Sequence, residues 1–358
     1  MADSIAKVRA PTNIALVKYW GKNPYFEKYH IPTKSSLSFS VEGLYTETLV
    51  ERKGNGSGKI DFVLNGKRIE NSAPEFSYVS EFFEKAFAIW PFMQDSNYSI
   101  ESENNFPTAA GFASSASGFA ALALAVSKAQ EGFLDRYSKD EKALSVFARL
   151  GSGSATRSIP FKGGLVQWKR GLDPRDVPAE KRAPTETEIF SSFAESILPP
   201  EHFSDLRLFY VKADTGEKKI KSRAGMKQTI STYPLYWEWV KHEENVLLPA
   251  TIESAKKMDW SELFRLTIAL SNGLHSAMLS TAPSISYLND TSREIVSGVN
   301  DLNSERIVSA YTFDAGPNPV VFSTRESEEQ VKELLERIVG EENIFRTRVG
   351  KGPEFLKA

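Results

Sequence analysis

The chain has 358 residues, 41% of them hydrophobic and 25% charged, which is the balance of a globular protein long enough for two lobes. Its formal net charge of -2 gives no global field toward nucleic acid or an anionic membrane, so an anionic ligand must be held by local cations and backbone N–H groups. It has no cysteine, which excludes disulfides, thiolate zinc sites and a cysteine nucleophile.

The opening residues lack the apolar core of a signal peptide, and the longest apolar run, Phe119 to Val126, is too short to span a bilayer. A cytoplasmic protein is therefore expected. Val8 to Trp20 and Ser36 to Lys53 read as strands, rich in β-branched and aromatic residues. Gly54, Gly56 and Gly58 mark a turn, and Asn65-Gly66 between two short apolar runs predicts a hairpin. Phe76, Val79, Phe82, Phe83, Ala86 and Ile89 recur at helical spacing and predict a helix from Glu75 to Trp90. The small, apolar stretch from Ala116 to Ala129 predicts a buried helix.

From Leu172 to Glu188 the chain is polar, with Pro174, Pro178 and Pro184, and reads as a surface loop. Leu198-Pro199-Pro200 is the expected lobe boundary, dividing residues 1–198 from 199–358. A strand from Leu206 to Asp214, helices from Ala224 to Ser280 and a further helix near Tyr287 to Val299 follow. A strand-turn-strand then spans Val308 to Phe322 around Asp314 to Asn318, before an amphipathic helix from Glu328 to Val339. Strands and helices mix without regular βαβα alternation, which predicts an α+β fold.

The densest chemical signal is Pro107-Thr-Ala-Ala-Gly-Phe-Ala-Ser-Ser-Ala-Ser-Gly118, running into the predicted buried helix. Small residues let backbone approach a ligand, and serines at a helix start add hydroxyls where free N–H groups and the dipole favour an anion. On composition alone, a small-residue helix packed on a sheet with a serine N-cap explains the segment as well. The pattern is neither Walker-type nor GxGxxG. Gly151-Ser-Gly-Ser-Ala-Thr-Arg-Ser158 combines hydroxyls with one guanidinium, a set suited to a phosphate, although an isolated string of this kind is more often a turn. Lys18 and Lys22 share one parity and would face one side of an undistorted strand. Asp314 is by itself most simply a turn-initiating aspartate, Ser222-Arg223 a helix start, and His275 a core histidine.

Four strings, in order along the chain, resemble one family. The segment Pro-x-x-x-Gly-x-x-Ser-Ser-Ala resembles the phosphate loop of the galactokinase, homoserine kinase, mevalonate kinase and phosphomevalonate kinase superfamily. The longer NNFPTAAGFASSASGFAAL is similar to its diphosphomevalonate decarboxylase branch, as are Ala10 to Lys22, Gly151 to Ser158 and Thr312 to Asn318. Leu288 to Ser292 adds a shorter match. The resemblance implies an N-terminal lobe like domain 2 of ribosomal protein S5, with a left-handed βαβ crossover, and a ferredoxin-like C-terminal lobe. It implies ATP with Mg²⁺, a small-molecule mevalonate phosphate as substrate, and ATP-dependent decarboxylation of mevalonate 5-diphosphate through phosphorylation of its tertiary hydroxyl. It leaves a homodimer open and implies no metal ligands that can be named.

Carried over residue by residue, Asp314 would orient or accept the hydroxyl proton beside Lys18, and Arg157 would hold the substrate carboxylate or a nearby phosphate. Asn13, Tyr19, Lys22, Ser152, Ser154 and Arg223 would bind substrate. Pro107, Ala110, Gly111, Ser114, Ser115, Ser117 and Ser222 would bind nucleotide. The chain departs from the family pattern at Phe112, at Thr156, at Lys34 in place of asparagine, and in a longer Gly21 to Pro32 segment. Lys34 is expected either to meet a substrate anion or to be a surface lysine. A decarboxylase of mevalonate 5-phosphate or 3,5-bisphosphate, or a mevalonate 3-kinase, stays open.

Overall fold

A computed structural model of the chain describes residues 3–106, 114–130, 140–173, 184–214, 216 and 220–358. Pro107, Ala110 and Gly111, and with them the front of the small-residue loop, lie outside the described residues.

Two long antiparallel strands, β1 (Ser4–Val17) and β2 (Ser36–Gly54), form the spine of the first sheet. Their register shifts between Pro11 and Asn13 and again between Ala15 and Val17. The shifts mark a change of surroundings. Ala6, Val8 and Ala10 pack into one core, while Ile14, Leu16 and Val17 pack into a second. A bulge bends and re-aims a strand, so side chains beyond it can serve a different layer.

Around this spine lie β3 (Ile60–Leu64), β4 (Lys67–Arg68), β5 (Ser96–Asn104), β6 (Leu165–Trp168), β7 (Ala194–Leu198) and β12 (Glu354–Leu356). The order is β12-β1-β2-β5-β3-β4, with β6 pairing β2 and β7 pairing β6. Asn65 (φ 49) and Gly66 (φ 74) make the predicted hairpin turn between β3 and β4.

Among the described residues, helices α1 (Pro74–Ile89), α2 (Ser114–Ala129) and α3 (Glu141–Gly151) cover this sheet. The alanines of α2, buried at 116, 120, 121, 123 and 125, leave no bulk between helix axis and sheet, so its N-terminus is held close to β2. A short helix, α4 (Glu186–Ser191), corrects the expected loop at its far end. Thr185 and Glu188 form a reciprocal capping box that starts the helix there.

The second sheet comprises β8 (Leu206–Val211), β9 (Ser309–Phe313), β10 (Pro319–Thr324) and β11 (Ile344–Thr347), all antiparallel, in the order β11-β8-β10-β9. That order, with helices between the first two strands and between the last two, is the ferredoxin-like arrangement. The helices are α5 (Ser222–Thr232), α6 (Tyr236–His242), α7 (Leu248–Lys257), α8 (Trp260–Leu279), α9 (Asp290–Leu302) and α10 (Glu328–Val339). A π-helical turn, Glu243–Leu247, joins α6 to α7. Helix α9 starts three residues later than its apolar spacing suggested, because the Asn289 side chain accepts from Ser292 N and caps it. Among the described residues no helix is long and apolar enough to cross a membrane.

Candidate active site

The two sheets meet where β1 and β9 end. Lys18 directly follows β1, Asp314 directly follows β9, and the ammonium donates to the carboxylate at 2.8 Å. The Lys18 side chain is 2% exposed and that of Asp314 47%, so a buried cation presents an open carboxylate. Burial pulls the Lys18 ammonium below its usual range, and Asp314 opposes that shift. The turn reading of Asp314 holds for its backbone, whose carbonyl accepts from Gly316 N at 2.8 Å, but the side chain is given to Lys18.

Arg157 lies in the 3₁₀ turn Gly153–Ser158 and is buried. Its Nε donates to Asn13 Oδ1 at 3.2 Å and its Nη1 to Ser36 Oγ at 2.8 Å. Both partners are neutral. Burial lowers the guanidinium to about 10, with Asp314 pulling the other way, so it stays charged at neutral pH. A buried cation among neutral partners is costly unless an anion arrives. Asn13 sits between the two register shifts of β1, and its Nδ2 donates to Ser154 O at 3.1 Å and to Ser158 Oγ at 2.8 Å. It therefore anchors the whole 3₁₀ turn.

Ser152 and Ser154 face each other at 3.0 Å, and Ser152 Oγ lies 3.4 Å from Ser115 Oγ in the first turn of α2. The small-residue helix start and the GSGSATRS string thus share one hydroxyl cluster. Ser117, two residues further on, points inward instead, pairing with Thr46 Oγ1 at 2.7 Å and tying α2 to β2. Tyr19 packs on Trp168 with ring centroids 4.8 Å apart, and a Cβ at Gly153 would stand 2.6 Å from the Tyr19 ring. Gly153 is needed for that approach. The buried Tyr19 hydroxyl has no hydrogen-bond partner among the described residues, as expected of a group that awaits a ligand.

Because β1 stops at Val17, the parity argument for Lys18 and Lys22 does not apply. Gly21 (φ +130) turns the chain, and Lys22 pairs in an isolated bridge with Pro32. Burial, then Arg223, brings the Lys22 ammonium down to about 8. Arg223, second residue of α5 after Ser222, donates to Glu81 at 2.9 Å and to Gly151 O at 3.2 Å, and lies over the Tyr78 ring at 4.7 Å.

Sequence reasoning missed the far side of this cluster. Lys85 is buried on α1, 2.7 Å from Glu81, 3.2 Å from Leu150 O and 3.4 Å from His30 Nε2. His30 Nδ1 must be the protonated nitrogen, since it meets the Arg149 carbonyl at 2.8 Å, and burial holds the ring neutral. The available signal was a Glu-x-x-x-Lys pair whose lysine interrupts the apolar face at Phe82 to Ala86, a pattern common on any helix. His275 is buried as expected and packs edge-on against Phe313 at 5.8 Å; burial, then Lys18, pulls it down to about 4. Lys34 is not a surface lysine. It is 1% exposed, ion-paired with the equally buried Glu243 and set 4.3 Å from the Trp239 ring centroid.

The arrangement combines an open carboxylate beside a buried ammonium, a buried guanidinium with neutral partners, hydroxyls at a helix start, and a second cation cluster around Lys22, Lys85 and Arg223. It can hold an anion at each end of a small molecule and orient a hydroxyl between them.

Residues 10–179 match the family described as the diphosphomevalonate decarboxylase-like N-terminal domain, and residues 209–355 match the mevalonate 5-diphosphate decarboxylase C-terminal domain. The chain is 34% identical to the diphosphomevalonate decarboxylase of Candida albicans, covering 98% of this chain and 97% of that one. It is 33% identical to that of Saccharomyces cerevisiae, over 94% of this chain and 82% of the relative. Among solved structures it is similar to mevalonate diphosphate decarboxylase from Staphylococcus aureus, with TM-score 0.85, 30% identity and coverage of 99% and 98%. A complex of MDDEF with MVAPP, AMPPCP and magnesium superposes with TM-score 0.85 at 32% identity, covering 100% of both chains.

Proposed function

Since the chain belongs to the diphosphomevalonate decarboxylase family, we propose that it uses ATP to phosphorylate the tertiary hydroxyl of mevalonate 5-diphosphate and then eliminates phosphate and carbon dioxide to give isopentenyl diphosphate. The observation that carries this reading is the 2.8 Å contact between Lys18 and Asp314, made where the two sheets converge. In this reading a first lobe, residues 1–198, supplies the phosphate and carboxylate grips, and a second, 199–358, brings the carboxylate that faces the hydroxyl.

Asp314 takes the proton of the tertiary hydroxyl as its oxygen attacks the γ-phosphorus of ATP. Lys18 keeps the carboxylate ionised, at some loss of basicity, and fixes its orientation. Arg157, held by Asn13 and Ser36, forks onto the substrate carboxylate. Phosphorylation turns hydroxide into a good leaving group. The bond to the carboxyl carbon then breaks, its electron pair forms the alkene, and phosphate departs. Ser152, Ser154 and Tyr19 line the path between this centre and Lys22, Lys85 and Arg223, which take the tail.

Among the described residues no three His, Cys, Asp or Glu side chains converge on one point. Mg²⁺ keeps several waters and is usually held by one or two protein oxygens plus substrate phosphates. Ser115 and Asp314 offer such oxygens. When bound, the ion neutralises charge on the phosphate oxygens.

Incubating the protein with mevalonate 5-diphosphate, mevalonate 5-phosphate and mevalonate 3,5-bisphosphate, each with and without ATP, tests the reading. Carbon dioxide is expected from the diphosphate only when ATP is present, with ADP formed in equal amount. ADP without carbon dioxide would make the protein a kinase, and turnover of the bisphosphate alone would make it a different decarboxylase.

A further inference from the structure

Resting on the mevalonate-phosphate reading above, the cluster behind Tyr19 carries a statement about substrate choice. Each of its two paired cations is held by a backbone carbonyl as well as by its anion. Lys85 is 2% exposed and stays tied to the Leu150 carbonyl at 3.2 Å, and Arg223 is tied to Gly151 O at 3.2 Å and stacked on Tyr78. Glu81 bridges both, 2.7 Å from Lys85 and 2.9 Å from Arg223, yet its side chain is 39% exposed. It can swing outward, and Lys85 and Arg223, itself 38% exposed, each keep a backbone carbonyl when it does. Gly151 and Leu150, whose carbonyls hold these cations, directly precede the Ser152–Ser154 pair, so the cluster continues the hydroxyl path. Lys22 lies close enough for its ammonium to feel Arg223, Lys85 and Glu81.

We propose that Glu81 is an exchangeable counter-anion. The phosphate end of the substrate takes its place on Arg223 and Lys85, and the negative charge that Glu81 keeps at the rim sets how far the site favours a diphosphate over a monophosphate tail. The longer tail carries more negative charge, so it is penalised more by a carboxylate beside it and gains more when that carboxylate is removed. An ordinary surface ion pair would behave differently, because its removal affects both tails equally.

The test is the ratio of dissociation constants for mevalonate 5-phosphate and mevalonate 5-diphosphate, measured by calorimetry without ATP, together with the ratio of kcat/KM values. In Glu81→Gln the preference for the diphosphate should rise about fivefold or more, the low end of the usual range for coupling between two sites. Glu81→Asp, which keeps the charge, should leave the ratio near that of the unaltered protein. Glu81→Ala carries the same expectation as Glu81→Gln, since Lys85 retains the Leu150 carbonyl, so a folding defect in one leaves the other to decide. If both esters bind and turn over but the ratio does not move, or both weaken equally, Glu81 is structural and the inference is wrong. If neither ester binds, the decarboxylase reading itself falls, and this inference with it.

Discussion

At the scale of single residues, the charge state of the site is set by burial acting against neighbours. Lys22 is the clearest case, brought down to about 8 by burial and then by Arg223. An anionic tail binds the protonated amine, so tail affinity is complete well below that value and is lost as pH rises through it. Substrate phosphates are already ionised above about pH 6 and do not mask the effect. We therefore expect kcat/KM for the mevalonate ester to fall on the alkaline side of about pH 8, mostly through KM, and the limb to move upward in Lys22→Arg. A pH profile that stays flat through that range, or a limb unmoved by the arginine, would remove Lys22 from the tail site. The family resemblance of their strings singled out Lys18, Lys22, Arg157 and Arg223 as candidate site cations. Their buried or paired condition was not legible, because it depends on residues such as Ser36 and Glu81 that no local pattern ties to them.

Among the elements, the π turn Glu243–Leu247 ties the second lobe's helices to the residues just ahead of β2. Its two leading glutamates reach consecutive residues ahead of β2. Glu243 pairs with Lys34, and Glu244 accepts from Ser35 N at 2.6 Å and Ser35 Oγ at 2.7 Å. The next residue, Ser36, is the one that accepts from Arg157. Such π turns recur at functional sites, and here one fixes the loop that positions a site arginine. Burial pushes the Glu243 carboxyl up and the Lys34 ammonium holds it down. Lys34→Met should cost about 3–5 kcal/mol by stranding a buried carboxylate, while Lys34→Met with Glu243→Leu should recover most of that loss. Thermal midpoints of the three proteins decide it. If the double variant is no better than the single one, the pair is not what the loop depends on. The sequence marked Lys34 as unusual, but its partner lies 209 residues away, and no periodicity links them. By contrast α1, α2, α10 and the Asn65-Gly66 hairpin were legible to within a few residues, because apolar spacing and turn chemistry are local. The late start of α9 and the extra helix α4 were set by caps at Asn289 and Thr185 that the apolar pattern does not register.

For the molecule as a whole, the site exists only because two sheets distant in sequence end at one place. Lys18 leaves the first sheet and Asp314 the second, 296 residues apart, and the last strand, β12, returns to pair with β1. Four strings in family order pointed to the chemistry, yet each alone had an ordinary structural explanation; among the described residues side chains from all four meet in pairs, Lys18 with Asp314, Asn13 with Arg157 and Ser115 with Ser152. In the proposed mechanism the Asp314 carboxylate acts on the reacting hydroxyl while the substrate's ends are gripped elsewhere. A single-turnover measurement on Asp314→Asn, with thermal midpoint and substrate affinity taken on the same sample, tests it most directly. The expected result is a fall in the chemical rate of about 10²–10⁴-fold with folding and ester binding close to those of the unaltered protein. Near-normal single-turnover rates in a properly folded Asp314→Asn would contradict it.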